Sequence, residues 1–217
     1  MTRDDLLQYD QNFEIFVASY KPHLRSPGYE DSLRRAYTLD ARFMEEFRIL
    51  RRYLIADDNN WGEDITRHLS RQSALPGTFS PENAKLLARL YREHVKIFIT
   101  GRFDSCYLDS IETIALFYIF HDIRTLWITG AYREKTSRLM DLVCARFSLN
   151  KRLPIGQTLR ALSGTLILEV NQIQRCFTMY ERYVSSALLQ DLTLTGMLEP
   201  QAAPTDAVAS RITSPGT

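Results

Sequence analysis

The sequence predicts an all-α fold, and three observations lead there. Apolar residues recur at steps of three and four along most of the chain, and the prolines and glycines are read as falling between these periodic segments. A complete helix start, Ser80-Pro81-Glu82, opens one of them. It combines a capping hydroxyl, proline at the first helical position and a carboxylate near the positive end of the helix dipole. With 217 residues, 45% of them apolar, the chain can bury one sizeable core.

The elements follow in order. Residues 3 to 20 place Leu6, Leu7, Phe13, Phe16 and Val17 on a helix that stops before Pro22. The next stretch, HLRSPGYEDS, reads as turn-rich. A second helix after Thr38 carries Phe43, Phe47, Leu50 and Leu54, and a short one spans about 62 to 72 before ALPGTF breaks it. The helix from Ser80 gathers Leu86, Leu87, Leu90, Tyr91, His94, Ile97 and Phe98 on one face, and Gly101 ends it. Another runs from near Asp104 to about His121, and a further one covers roughly 127 to 148. After KRLPIG a long helix carries Leu159, Leu162, Leu166, Val170, Ile173, Phe177 and Tyr180 and continues through Val184 and Leu188. Its length serves a core and a dimer seam together. The Pro-containing tail from Glu199 reads as disordered.

Composition removes several functions. The 27 basic and 26 acidic residues create no field for nucleic acid or an anionic membrane. MTRDDLLQYD lacks the pattern of a secretory leader and no apolar run spans a bilayer, so the expected location is the cytoplasm. Cys106, Cys144 and Cys176 show no paired spacing and read as reduced packing residues. His23, His68, His94 and His121 form no zinc motif, and there is no phosphate loop, nucleophile elbow or catalytic carboxylate pair; no enzymatic role is expected. Arg34, Arg35, Arg48, Arg51 and Arg52 read as solvated helix faces.

One stretch carries more. His94, Phe98, Gly101, Phe103, Asp104, Tyr107, Ser110, Ile111, Ile114 and Ala115, then Trp127, Gly130, Ala131 and Tyr132, keep one ungapped register. This pattern resembles the globin-sensor, or protoglobin-like, domain of bacterial globin-coupled sensors. DITRHLSRQSALPGTF at 64–79 and LILEVNQIQRCFTMYERY at 166–183 extend the likeness over roughly residues 38 to 190. The resemblance implies a globin-like helical fold with an N-terminal extra helix and long C-terminal helices. The expected divisions are an N-terminal helical extension at 1–37, a globin-sensor-like domain at 38–192 and a disordered tail at 193–217. It further implies haem-based oxygen or redox-gas binding, signal transduction through a homodimer built on the last two long helices, and a separate signalling partner.

Within that register the chain departs from the family. Tyr118 falls at the position of the proximal histidine, fourteen residues before Tyr132 and eleven after Tyr107, and Thr66 falls at the distal tyrosine. A phenol ligates iron well as phenolate, which favours ferric haem over reversible oxygen binding. Its ordinary pKa near 10 then requires the iron's own charge or a nearby cation such as Arg124. His121, three residues on, is the alternative ligand. Trp127 and Tyr132 line the haem edge if haem is bound and fill the same volume if it is not. Two readings stand: a haem-binding sensor globin with Tyr118 or His121 on iron, and a haem-free interaction or stress-signalling module acting through dimerisation. In the second, Ile114, Leu116, Phe117 and Phe120 fill the former pocket.

Overall fold

Helix boundaries in this chain are set by local chemistry. The computed structural model describes residues 3–37, 39–56, 61–71, 79–149 and 154–194. Among them are eight α-helices and no strand. They are α1 (Arg3–Tyr20), α2 (Tyr29–Ala36), α3 (Ala41–Ala56), α4 (Trp61–Ser70), α5 (Pro81–Phe98), α6 (Ser105–Phe120), α7 (Thr125–Leu149) and α8 (Ile155–Leu194), with a 3-10 turn at Lys21–His23. Ser80 caps α5 by accepting from the Asn83 amide at 3.2 Å. Asp104 caps α6 by accepting from the amides of Cys106 and Tyr107 at 3.1 and 3.3 Å. Beyond α5, Gly101 adopts φ +73, a left-handed turn open to a residue without Cβ.

The end of α6 is tied more tightly. Asp122 takes φ +51, and its amide donates to the Ile119 carbonyl at 3.1 Å while the Ile123 amide donates to the Tyr118 carbonyl at 2.8 Å. This is the paired-bond helix ending in which Ile123, itself buried, reaches back over the last turn. It fixes where Tyr118 and His121 stand before α7 begins.

Three readings of the sequence need correction. The turn-rich segment contains α2, which starts at once after Gly28 (φ +75) and buries Leu33. Glu30 and Asp31 in its first turn and Arg34 and Arg35 in its last complement the helix dipole, a signal that the flanking Pro27 and Gly28 outweighed. Glycines also lie inside helices: at Gly62 in α4, an added Cβ would stand 2.8 Å from both the Ala88 carbonyl oxygen and the Tyr91 Cβ of α5. The residue is glycine because the two backbones nearly touch. The cysteines divide as well, since Cys176 is buried but Cys106 and Cys144 are exposed.

Helix α6 is the centre of the packing. It buries Tyr107, Leu108, Ile111, Glu112, Ile114, Ala115, Leu116, Phe117 and Tyr118, side chains that point in every direction around its axis. It packs against α5 and α1, and α4 packs against α5 and α7. Phe43 and Phe47 of α3 meet Phe98 and Phe103 in edge-to-face contacts at the α5–α6 turn. Contacts group Met1–Tyr180 as one compact unit and Glu181–Thr217 as a second. In the second, Leu188 and Leu189 are exposed, and the expected disordered tail beyond Leu194 lies outside the described residues. No helix among the described residues is long and apolar enough to cross a membrane.

Candidate functional site: a buried tyrosine and carboxylate network

Four helices each turn polar groups inward at one level of the core. Tyr91 and His94 of α5, and Tyr132 and Lys135 of α7, are pairs three residues apart, so each pair shares a helix face. Between them stand Tyr118 and Ser110 of α6 and Glu169 of α8. The Tyr118 hydroxyl lies 2.8 Å from that of Tyr91, which donates to the Tyr132 hydroxyl at 3.2 Å. Because the one proton of Tyr91 goes to Tyr132, Tyr118 is the donor to Tyr91. A directed chain Tyr118, Tyr91, Tyr132 therefore crosses α6, α5 and α7.

Burial raises all three phenols well above their usual range. For Tyr118 the other neighbours act the same way: Tyr91 and the Glu169 charge both oppose a phenolate.

Next to the tyrosines is an ion pair with almost no access to water. Lys135 Nζ donates to Glu169 Oε2 at 3.2 Å and stands 4.8 Å over the Tyr132 ring. His94 Nε2 meets Glu169 Oε1 at 3.0 Å, and Nδ1 faces Ser110 Oγ at 2.8 Å. Ser110 in turn donates to the Tyr107 carbonyl at 2.7 Å. Burial pushes the Glu169 carboxyl up, but Lys135 and the His94 hydrogen bond outweigh it and hold the group at about 2. Lys135 is pushed down by burial, against the pull of Glu169. Tyr107 is fully buried, and its hydroxyl is the one buried side-chain polar atom among the described residues without a hydrogen-bond partner.

The residues singled out from the sequence take different places. Tyr118 and Tyr132 meet through Tyr91. His121 is the C-cap of α6, its Nδ1 3.3 Å from the Asn83 side-chain amide and its ring packed on Phe117 and Phe120 at 4.3 and 5.2 Å. The Phe117 ring also meets that of Tyr118, with centroids 6.2 Å apart. Burial lowers His121 to about 4. Thr66, expected as a distal, solvent-facing or capping group, is buried in α4 and donates to the Glu63 carbonyl at 3.0 Å, at the edge of an open cavity of about 660 Å³ over α5. Trp127 is half-buried in the first turn of α7.

These surroundings do not fit the haem iron that the resemblance implies. The oxygen of Tyr118 points at another hydroxyl, and burial, Tyr91 and Glu169 all oppose the phenolate that iron would need. The ring of His121 is walled by two aromatic rings. His, Cys, Asp and Glu among the described residues form no group of three suited to a metal ion.

Lys135, Glu169 and Tyr91 were not singled out from the sequence as site residues. One signal was present: Glu169 interrupts the apolar row Leu162, Leu166, Ile173 at core spacing, which forecasts a buried, partnered carboxylate. The partner, 34 residues away, carried no such mark. Comparison with protein-family models finds no family that matches the chain, and no curated protein matches it.

Proposed function

We propose that this chain is a sensor-globin-like signal-transduction module whose interior is closed by tyrosine hydroxyls in place of an iron ligand. It acts as a homodimer through α7 and α8 and passes its signal to a separate partner. The observation that carries the reading is the chain Tyr118, Tyr91, Tyr132, because the position that the resemblance reserves for the iron ligand is already engaged. Together with the Glu169 ion pair it ties α5, α6, α7 and α8 to one another, so a displacement at α7 or α8 disturbs the whole set. The dimer face is supported by an apolar groove of about 380 Å³ between α7 and α8, lined by Tyr132, Leu166, Ile167 and Val170 among others. Ile167 on its rim is 57% exposed.

Absorption spectra with added haemin test the interior. The expected result is the spectrum of free haemin with the wild-type protein, Tyr118→Phe and His121→Ala alike. A bound-haem band lost in Tyr118→Phe, or lost in His121→Ala, would overturn the haem-free reading and name the ligand. Sedimentation tests the interface: a wild-type dimer at micromolar concentration should become a monomer in Ile167→Glu.

A further inference from the structure

The N-terminal extension is held in an unusual way. Helix α1 lays Phe13, Phe16 and Tyr20 along one face, and these rings sit on Phe117 and Phe120 of α6 and Tyr180 of α8, with centroids 4.9 to 6.0 Å apart. Such contacts seat the helix through buried apolar area, and each ring pair adds to it. Charge fixes it as well, chiefly through one carboxylate, beside the contacts of Lys21 with Thr113 and Asp109. Glu112 of α6 is fully buried. Arg25, just after the 3-10 turn, reaches it with Nε 2.9 Å from both oxygens and its outer nitrogen at 2.7 Å. Arg175 of α8 donates to the other side of the same group at 2.7 Å and also to the Leu24 carbonyl.

The geometry changes at the next residues. Ser26, Pro27 and Gly28 are exposed, and an added Cβ on Gly28 would meet nothing within 4 Å. On their far side the chain has a second anchor: Tyr29 donates to Gln172 at 2.6 Å, and the Arg175 guanidinium that also holds Glu112 lies 4.0 Å over its ring. An exposed turn, closed by the Tyr29 amide on the Ser26 carbonyl at 3.1 Å, thus stands between a segment latched by charge and a segment fixed to α8.

We infer that Arg3 to Arg25 is a detachable strap, latched at Glu112 and hinged at Ser26–Gly28, whose release bares Phe117, Phe120 and Tyr180 and loosens the end of α6. Its regulatory meaning rests on the function proposed above, since that end of α6 carries Tyr118 and His121. The strap itself is measured without haem, partner or dimer, so either idea can fail alone. The latch cations are partly exposed, 23% for the Arg25 side chain and 20% for Arg175, so water and salt reach the fastening.

Hydrogen exchange of the full chain, read by mass spectrometry, is the test. In Arg25→Gln, exchange over residues 11–20 should rise about tenfold or more, the loss of a charge-assisted contact, while α2 and residues 155–180 stay within about twofold of wild type. Binding of anilinonaphthalene sulfonate should rise with it. Asp109→Asn, at the exposed outer contact of Arg25, should have a much smaller effect. Wild-type protein moved from about 0.05 to about 1 M NaCl should show the same selective loosening. Unchanged exchange in α1, or a rise shared equally by α1, α6 and α8, would overturn the strap and make the extension an ordinary part of one cooperative core.

Discussion

Glu169 and Glu112 are both fully buried carboxylates, each held between two nitrogen-bearing side chains from other segments of the chain. They differ in what stands behind those partners. Lys135 and His94 are as buried as Glu169 itself, with side chains 2% and 0% exposed, whereas the arginines around Glu112 keep about a fifth of their surface in water. A charge surrounded by buried partners has no second choice when one is removed. A charge whose partners touch solvent can trade them for water, and its bond is screened by salt. The same chemistry therefore makes a fixture in one place and a clasp in the other.

Lys135→Met is the severest way to break that contrast. It leaves Glu169 charged and short of its cation, and should cost about 3–5 kcal/mol in urea unfolding. A loss no larger than that of Arg25→Gln would mean that the interior pair is as replaceable as the rim. Acid sharpens the contrast next. His121 folds with its pKa lowered from 6.5 to about 4, so its contribution is complete above pH 6.5 and is lost as pH falls toward 4. Glu169, lowered from 4.5 to about 2, keeps its contribution above 4.5 and loses it as pH falls toward 2. Stability measured against pH should therefore fall in two stages, and His121→Gln should flatten the first while sparing the second. Tyr118→Phe removes one hydroxyl from a chain in which Tyr91 still reaches Tyr132, so about 1 kcal/mol is expected by the same unfolding assay. A loss several times larger would show that the three hydroxyls act as one unit. The smallest effect is that of salt on the interior: exchange rates around Glu169 should be the same at low and high NaCl, where those of α1 differ.

What the sequence disclosed follows the range of the interactions involved. Ser80, Gly101 and Asp104 mark helix ends because a cap is made within three or four residues, and the structure places all three at helix ends. Tyr118 is reached by counting from both sides of the motif, and it begins the buried chain of hydroxyls. Its partner Tyr91, 27 residues earlier, read only as one member of an apolar stripe. Pairings such as Arg25 with Glu112, 87 residues apart, leave no local trace, because a charged residue on an amphipathic helix looks the same whether it faces water or a distant carboxylate. Helix α2 was hidden for the opposite reason, since the turn residues ahead of it dominated the reading of the segment they begin.

At Gly62 the backbones of α4 and α5 come together with no side chain between them. Helices separated by side chains can shear, because rotamers give way in turn. Between α4 and α5 at Gly62 no rotamer stands that could give way. His68 and Glu134, with Asp64 and Arg138, join the other side of α4 to α7. Helix α7 therefore meets Tyr91 by two routes, directly through Tyr132 and indirectly through α4.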